Sequence, residues 1–138
     1  MGAMTDSMTQ RRAQFTGLVV EDEWLLRMEL VDELHAAGWK TLEAATGDEA
    51  LALLESGARI DFLVTDIRLP GADGWTVAER FRDLRPGGAV IYVSANPDLP
   101  ARRVTGGEFI GKPCEMRSLL NTCDRLVLER PVGRDEMA

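Results

Sequence analysis

Residues 61–71 read Asp-Phe-Leu-Val-Thr-Asp-Ile-Arg-Leu-Pro-Gly, an apolar run that ends in an acidic residue and a turn. The first five residues predict a buried strand, because the run is short, largely apolar and bounded by turn residues. Asp66 ends this strand, and Pro70 with Gly71 predicts a turn before a helix over residues 75–85. We therefore expect one strand–loop–helix unit here, with a carboxylate at the carboxyl end of its strand.

The same unit recurs on both sides of this stretch. Short apolar runs predict further strands, and apolar residues at helical spacing predict the helices between them. The other predicted strands cover residues 17–20, 40–44, 89–93 and 108–110, and the other helices cover residues 23–37, 46–56 and 115–128. The alternation predicts an α/β fold of the (βα)5 type. It predicts a doubly wound, parallel, five-stranded sheet with helices on both faces, and of the two common strand orders of such sheets we expect the flavodoxin-like order 2-1-3-4-5.

Length, composition and charge restrict the class of protein. The chain has 138 residues and predicts one domain, over residues 15–129, between a disordered N-terminal or tag segment (1–14) and a polar tail (130–138). We expect a cytoplasmic protein without a membrane partner, because we find no leader pattern and no apolar run of about 20 residues. A net charge of −7 argues against nucleic acid as a partner.

Polar residues follow four of the predicted strands. They are Glu21 and Asp22 after the first strand, Asp66 after the third, Ser94 after the fourth and Lys112 after the fifth. Ligands of such sheets bind at the carboxyl ends of the strands. A carboxylate there can accept a phosphoryl group if a cation compensates the approach of two anions, and the three acidic residues could hold Mg²⁺. The ammonium and the hydroxyl could each contact a phosphoryl oxygen.

Each of these residues also has an ordinary structural explanation. The acidic pair could favour the positive end of the following helix, Asp66 could be a turn residue, and a serine in a loop is common. Lys112 is one of only two lysines, but a single surface lysine needs no special role. The combination of residues favours the phosphoryl-accepting site over these structural roles, because residues suited to such a site follow four strands in the right chain order.

Structural roles are predicted for several other residues. His35, the only histidine, is expected to face solvent, and one histidine excludes a histidine-based triad or a multi-histidine metal site. The three tryptophans are expected to pack at helix or strand ends. Arg102 and Arg103 are predicted to lie on a solvent-exposed face, and a role of this pair in docking a partner is the alternative. The two cysteines, Cys114 and Cys123, lack metal-ligand spacing and are predicted to be reduced, buried thiols in the last helix.

The motifs at the strand ends resemble those of the receiver domains of bacterial two-component systems, over roughly residues 15–128. The acidic pair, the loop over residues 64–71, Ser94 with the following alanine, and Lys112-Pro113 are each similar to a motif of that family. The resemblance implies that Asp66 accepts a phosphoryl group from a phosphohistidine of a sensor histidine kinase or a histidine phosphotransferase. The reaction would require Mg²⁺ (or Mn²⁺), and the protein would signal by protein contact or phosphorelay.

The resemblance also implies a role for each site residue. Asp22, Asp66 and the backbone carbonyl of Arg68 would bind the metal, Glu21 would act through metal-bound water, Ser94 and Lys112 would contact the phosphoryl group, and Phe109 would be the switch aromatic. The Lys112-Pro113 peptide bond would be cis. The protein would not be a dedicated enzyme, because its chemistry would be limited to autophosphorylation and autodephosphorylation of Asp66.

The sequence departs from the family pattern in ways that leave alternatives open. Glu21 stands where many receivers have aspartate, and the stretch between Ser94 and Lys112 is a few residues shorter than usual. That stretch contains Pro97 and Pro100, so its helix, the fourth of five, is predicted to be short or absent, with at most one or two turns around residues 101–104. A degenerate receiver acting as a constitutive interaction module is one alternative. An aspartate-nucleophile phosphatase is another, although Arg68 stands where such enzymes need a second acid.

Overall fold

The computed structural model describes residues 7–95 and 102–129 of the chain. The strands are β1 (Thr16–Val20), β2 (Lys40–Ala44), β3 (Phe62–Thr65), β4 (Ala89–Ser94) and β5 (Glu108–Gly111). The helices are α1 (Ser7–Arg12), α2 (Trp24–Ala36), α3 (Gly47–Glu55), α4 (Gly74–Leu84) and α5 (Met116–Cys123), and a π-helical turn (Asp124–Leu128) continues α5. None of the helices described is long and apolar enough to cross a membrane.

The five strands form one parallel sheet in the order β2-β1-β3-β4-β5, which confirms the predicted fold. Alternate side chains of the central strands enter two separate cores. Leu18, Leu63 and Val90 pack on the side of α3 and α4, whereas Val19, Val64 and Ile91 pack on the side of α2 and α5. Because both faces are covered, the central strands are largely apolar, with threonine or serine only at their ends, which is why the sequence shows them as short apolar runs.

Side-chain caps fix where the helices on one face of the sheet begin. The Thr46 hydroxyl accepts a hydrogen bond from the Glu49 amide at 3.0 Å at the start of α3. Asp73 accepts one from the Thr76 amide at 2.9 Å at the start of α4. Such caps satisfy backbone donors that the first turn of a helix leaves unpaired. They place the start of α4 directly after the loop that carries Asp66.

The N-terminal segment differs from the prediction. Residues 1–14 were predicted to be disordered, but α1 forms within them and packs against the end of α5. Arg12 donates two hydrogen bonds of 2.9 Å to the Asp124 carboxylate and one of 3.1 Å to the carbonyl oxygen of Ala37. Arg11 donates one of 2.7 Å to the carbonyl oxygen of Leu128. The guanidinium fork binds a carboxylate in two places, which orders a short helix that could not be stable alone. Residues 1–6 and 130–138 lie outside the description.

The segment between β4 and β5 agrees with the prediction as far as it is described. Residues 102–107 contain no helix, and a turn is closed by a 2.9 Å hydrogen bond from the Gly107 amide to the carbonyl oxygen of Val104. Residues 96–101, with both prolines of the segment, are not part of the description. The predicted upper limit of one or two helical turns around residues 101–104 is respected, because residues 102–104 form no helix.

Some predictions about individual side chains are wrong. Trp39 and Trp75 are buried as predicted, but Trp24, the first residue of α2, is 64% exposed. Cys123 is a buried free thiol in α5. Cys114 is also free, but it is only partly buried and precedes α5 rather than lying within it.

Candidate functional site

Three carboxylates meet at the carboxyl ends of β1 and β3. Glu21 and Asp22 follow β1, and Asp66 follows β3, which is the neighbouring strand. The Asp66 amide donates a 3.0 Å hydrogen bond to the carbonyl oxygen of Val20, so the pairing of the two strands continues to the site. One carboxylate oxygen from each acidic residue lies within 4.8 Å of the others. Glu21 and Asp66 are buried, whereas Asp22 is exposed.

Lys112 brings a positive charge to these carboxylates from the end of β5. Its Nζ atom lies 2.8 Å from Asp66 Oδ2 and 3.1 Å from Glu21 Oε1. Its backbone amide donates a 2.9 Å hydrogen bond to the carbonyl oxygen of Ser94, and the peptide bond to Pro113 is cis, as the family resemblance implied. Burial alone would lower the pKa of Lys112, but the contacts with the Asp66 and Glu21 carboxylates reverse this and raise it. The ammonium is therefore held in its charged form.

The Asp66 carboxylate is oriented by contacts at both of its oxygens. Oδ1 accepts hydrogen bonds from the amides of Ile67 at 2.6 Å and Arg68 at 3.3 Å, while Oδ2 faces Lys112. The loop after β3 is also pressed against the start of α4. A Cβ atom on Gly74 would lie 2.0 Å from the carbonyl oxygen of Asp66, so only glycine allows this approach. These contacts fix the side chain in one direction, toward the other charged groups.

Glu21 is the carboxylate with the least favourable surroundings. Burial raises its pKa, and the nearby Asp66 charge adds to the effect, while a hydrogen bond from the Glu23 amide and the Lys112 ammonium oppose it. The Glu23 amide donates to Oε2 at 3.0 Å. Oε1 is fully buried and, despite the nearby ammonium, has no well-directed hydrogen bond within the residues described. A buried, incompletely compensated carboxylate oxygen is stabilised by a further cation.

The chemistry of these donors fits Mg²⁺. Magnesium prefers oxygen ligands and is commonly bound by one or two carboxylates together with water and phosphate oxygens. Glu21, Asp22 and Asp66 offer such oxygens on one side of the ammonium. The structure places the Arg68 amide beside Asp66, whereas binding of the metal by the Arg68 carbonyl remains a prediction.

Ser94 and Phe109 lie on β4 and β5, the strands next to the carboxylates. Ser94 is buried at the end of β4, directly beside Gly111 in the neighbouring strand. Phe109 stacks on Tyr92, with ring centroids 5.0 Å apart and planes at 25°, and its ring centroid is 6.0 Å from that of Trp75. Because Tyr92 and Ser94 are two residues apart, they project from the same face of β4. The predicted hydroxyl residue and the predicted switch aromatic are thus connected through one strand.

Trp75, Tyr92 and Phe109 form an aromatic cluster, and the contacts around it were not predicted from the sequence. The Tyr92 hydroxyl accepts a 3.1 Å hydrogen bond from the Val104 amide, and burial raises the pKa of Tyr92, which keeps the hydroxyl protonated. The Arg103 guanidinium lies 5.7 Å from the centre of the Phe109 ring. Arg102 and Arg103 are exposed as predicted, but both also contact the fold. Sequence spacing gives no indication of these pairs, because the partners belong to different elements.

The chain is thus a doubly wound α/β protein with an acidic site and a lysine at the carboxyl ends of its parallel strands. Comparison with known proteins identifies its family. A family model described as the response regulator receiver domain matches residues 18–124. The chain belongs to this family of receiver domains.

Individual relatives agree with this assignment. The sensor kinase CckA of Brucella abortus is 33% identical over 129 residues, which cover 88% of this chain and 13% of the kinase. The crystal structure of a response regulator receiver protein from Sinorhizobium medicae is similar with a TM-score of 0.80 and 31% identity, covering 85% of this chain and 97% of that one. The response regulator TrrA from Thermotoga maritima, crystallised in complex with Mg²⁺-BeF, has a TM-score of 0.70 and 29% identity, covering 81% of this chain and 98% of TrrA. The chain spans less than half the length of the first curated relatives that it matches.

Proposed function

We propose that Asp66 accepts a phosphoryl group from a phosphohistidine of a sensor histidine kinase or a histidine phosphotransferase, in a Mg²⁺-dependent reaction. The observation that carries the proposal is the contact of 2.8 Å between Asp66 Oδ2 and Lys112 Nζ, with the Glu21 and Asp22 carboxylates within 4.8 Å of Asp66. An oriented carboxylate beside a fixed cation is suited to accept an anionic group.

The transfer exchanges one bond to phosphorus for another. A bond forms between a carboxylate oxygen of Asp66 and the phosphorus, while the phosphorus–nitrogen bond of the phosphohistidine breaks and the imidazole keeps the electron pair. Bound Mg²⁺ would neutralise part of the charge shared by the acceptor and the phosphoryl group. Asp22, Asp66 and the Arg68 carbonyl would hold it directly, and Glu21 would do so through water.

The remaining site residues act on the new acyl phosphate. Lys112 pairs with a phosphoryl oxygen through the ammonium that now contacts Asp66, and Ser94 donates a hydrogen bond to another oxygen. Movement of Ser94 toward the phosphoryl group, followed by Phe109, would shift a two-state surface around β4 and β5. Output is then a protein contact or transfer of the phosphoryl group to a further histidine, in the cytoplasm. Beyond phosphoryl transfer with its partners, autophosphorylation and autodephosphorylation of Asp66 are the only activities that we assign to the protein.

An apolar surface beside the acidic pair is suited to the phosphodonor. Trp24, Leu25 and Met28 are 64%, 52% and 43% exposed in the first turns of α2. A cavity of about 320 Å³ is lined by Leu25 and other residues at the start of α2, by Lys112, and by Pro113 and the residues that lead into α5. Large exposed apolar side chains grouped in this way are typical of protein contacts. A donor that docks here would bring its histidine close to Asp66.

Phosphorylation by a small phosphodonor tests the proposal. The chain is incubated with acetyl phosphate with and without Mg²⁺, and we expect one acid-stable, base-labile phosphate per chain that requires the metal. Asp66→Asn should abolish it, whereas Asp83→Asn, which neutralises an exposed carboxylate at the far end of α4, should not. Absence of phosphorylation despite Mg²⁺ binding would refute the proposal in favour of a constitutive interaction module. Turnover of many equivalents of a phosphomonoester would refute it in favour of a phosphatase.

A further inference from the structure

The chain just before β5 is fastened to α4 by Arg102. Its Nη2 and Nε atoms lie 2.8 and 3.2 Å from the two carboxylate oxygens of Glu79, and Nη1 lies 3.5 Å from Asp73 Oδ2. Asp73 caps α4 and Glu79 lies in its second turn. One guanidinium therefore spans the first half of α4, in the paired geometry that arginine favours with carboxylates.

The next two residues contact the aromatic cluster. The Val104 amide donates to the hydroxyl of Tyr92, a fully buried residue, and the Arg103 guanidinium covers the ring of Phe109. The chain also passes close to Tyr92 at Gly107, where a Cβ atom would lie 3.0 Å from the tyrosine ring. Residues 102–104 thus contact three elements at once: α4, β4 and β5.

Each strand that this segment contacts also carries a residue of the candidate site. Tyr92 precedes Ser94 by two residues on β4, and Phe109 precedes Lys112 by three residues at the end of β5. A shift of Ser94 or Lys112 toward a phosphoryl group would move the strand positions that the segment contacts. The contacts of residues 102–104 therefore oppose such a shift.

We propose that Arg102, Arg103 and Val104 form a latch that holds the resting conformation and that opens when Asp66 is phosphorylated. The opening step rests on the proposed function; the resting contacts do not. The latch sets how often the unphosphorylated protein visits the open conformation, because an equilibrium between two states moves with the contacts that only one of them makes. Weakening the latch without phosphorylation should then mimic part of the effect of phosphorylation.

Hydrogen exchange at the Val104 amide, measured by NMR on the full chain, tests the resting latch. Arg102→Ala should accelerate this exchange about two- to fivefold, the effect of removing an exposed ion pair. Tyr92→Phe, which keeps the ring and removes the acceptor, should accelerate it about tenfold. Arg80→Ala is the matched control, because Arg80 lies on α4 next to Glu79 but pairs with the Glu55 carboxylate of α3, away from the latch. Equal exchange in Arg102→Ala, Arg80→Ala and the unaltered protein would overturn the proposal.

Addition of Mg²⁺ with beryllium fluoride, which imitates the phosphoryl group, tests the opening step. We expect faster Val104 exchange in the unaltered protein and a smaller further increase in Arg102→Ala, whose latch is already weakened. If the ligand shifts the resonances of Asp66 and Lys112 but leaves Val104 exchange unchanged, the opening step is refuted while the proposed function stands. If the ligand does not bind, the proposed function and the opening step both fail. The hydrogen-exchange comparison of the variants without ligand then still tests whether the latch exists in the resting protein.

Discussion

Replacing Lys112 with methionine should tighten Mg²⁺ binding, although the lysine belongs to the proposed site. The ammonium lies 2.8 Å from Asp66 Oδ2 and 3.1 Å from Glu21 Oε1, and these are oxygens of residues that a metal would use. Without a metal, Lys112 neutralises these oxygens, and with Mg²⁺ bound it would repel the ion. Lys112→Met removes both effects and keeps an unbranched side chain of similar length.

The size of the effect follows from the distances. For an ion bound to Asp66 Oδ2, a Mg²⁺–oxygen bond of about 2.1 Å added to the 2.8 Å contact with Lys112 gives a distance of at most about 5 Å from Nζ. Repulsion between a dication and an ammonium at that distance is about 1.7 kcal/mol with the dielectric constant of water, and more at the lower effective value near a protein surface. Salt at 0.1 M, with a screening length of about 10 Å, removes only part of this repulsion at 5 Å, and the lower effective dielectric constant near the protein offsets that loss. We therefore expect Mg²⁺ to bind about tenfold more tightly.

Isothermal titration of the metal-free protein with MgCl₂ at 0.1 M ionic strength measures the change. Lys40→Met is the matched control, because Lys40 is the only other lysine and lies exposed at the amino end of β2, at the opposite edge of the sheet. Its affinity should equal that of the unaltered protein. An unchanged or weaker affinity in Lys112→Met, with circular dichroism showing an intact fold, would refute the placement of the metal beside the ammonium.

Three further predictions concern stability and reactivity. Arg12→Ala should lower the free energy of unfolding by about 2 kcal/mol, because its ion pair with Asp124 is largely shielded from water. Arg80→Ala, which removes an exposed ion pair, should lower the free energy of unfolding much less, and an equal loss of stability in the two variants would contradict this. Gly74→Ala should destabilise the fold by about 1–3 kcal/mol in urea unfolding, although alanine normally favours a helix; a stabilised variant would contradict the close approach. Burial raises the pKa of the Cys114 thiol, so iodoacetamide should modify Cys114 more slowly than free cysteine at pH 8, and the rate should increase as the pH rises. The fully buried Cys123 should be modified only on unfolding. Mass spectrometry measures both, and modification of Cys123 before Cys114 would contradict the prediction.

The sheet could be predicted because its central strands are covered on both faces. Such strands are apolar at nearly every position, so β3 and β4 stand out in the sequence without knowledge of their partners. The positions of Asp66, Ser94 and Lys112 follow from the strand ends alone, since all parallel strands point the same way. What the sequence could not provide is distance: the ion pair between Lys112 and Asp66 joins residues 46 positions apart.

The errors have a common physical origin in contacts between distant parts of the chain. Helix α1 has six residues, too few to be predicted from propensity, and it depends on an ion pair between Arg12 and Asp124. Trp24 was expected to pack because large aromatic side chains are usually covered, but at the first position of α2 its side chain is left 64% exposed by the described fold. Both features depend on which surfaces meet, which hydrophobic periodicity does not encode.

The pairing of Arg12 with Asp124 has a consequence for how the domain loses its structure. These residues are 112 positions apart, so the bond ties the first described helix to the turn that ends the last one. Neither end can fray alone without breaking the same two hydrogen bonds. Local opening at one end of the domain is therefore coupled to opening at the other, and a label placed on α1 would report the detachment of the turn after α5.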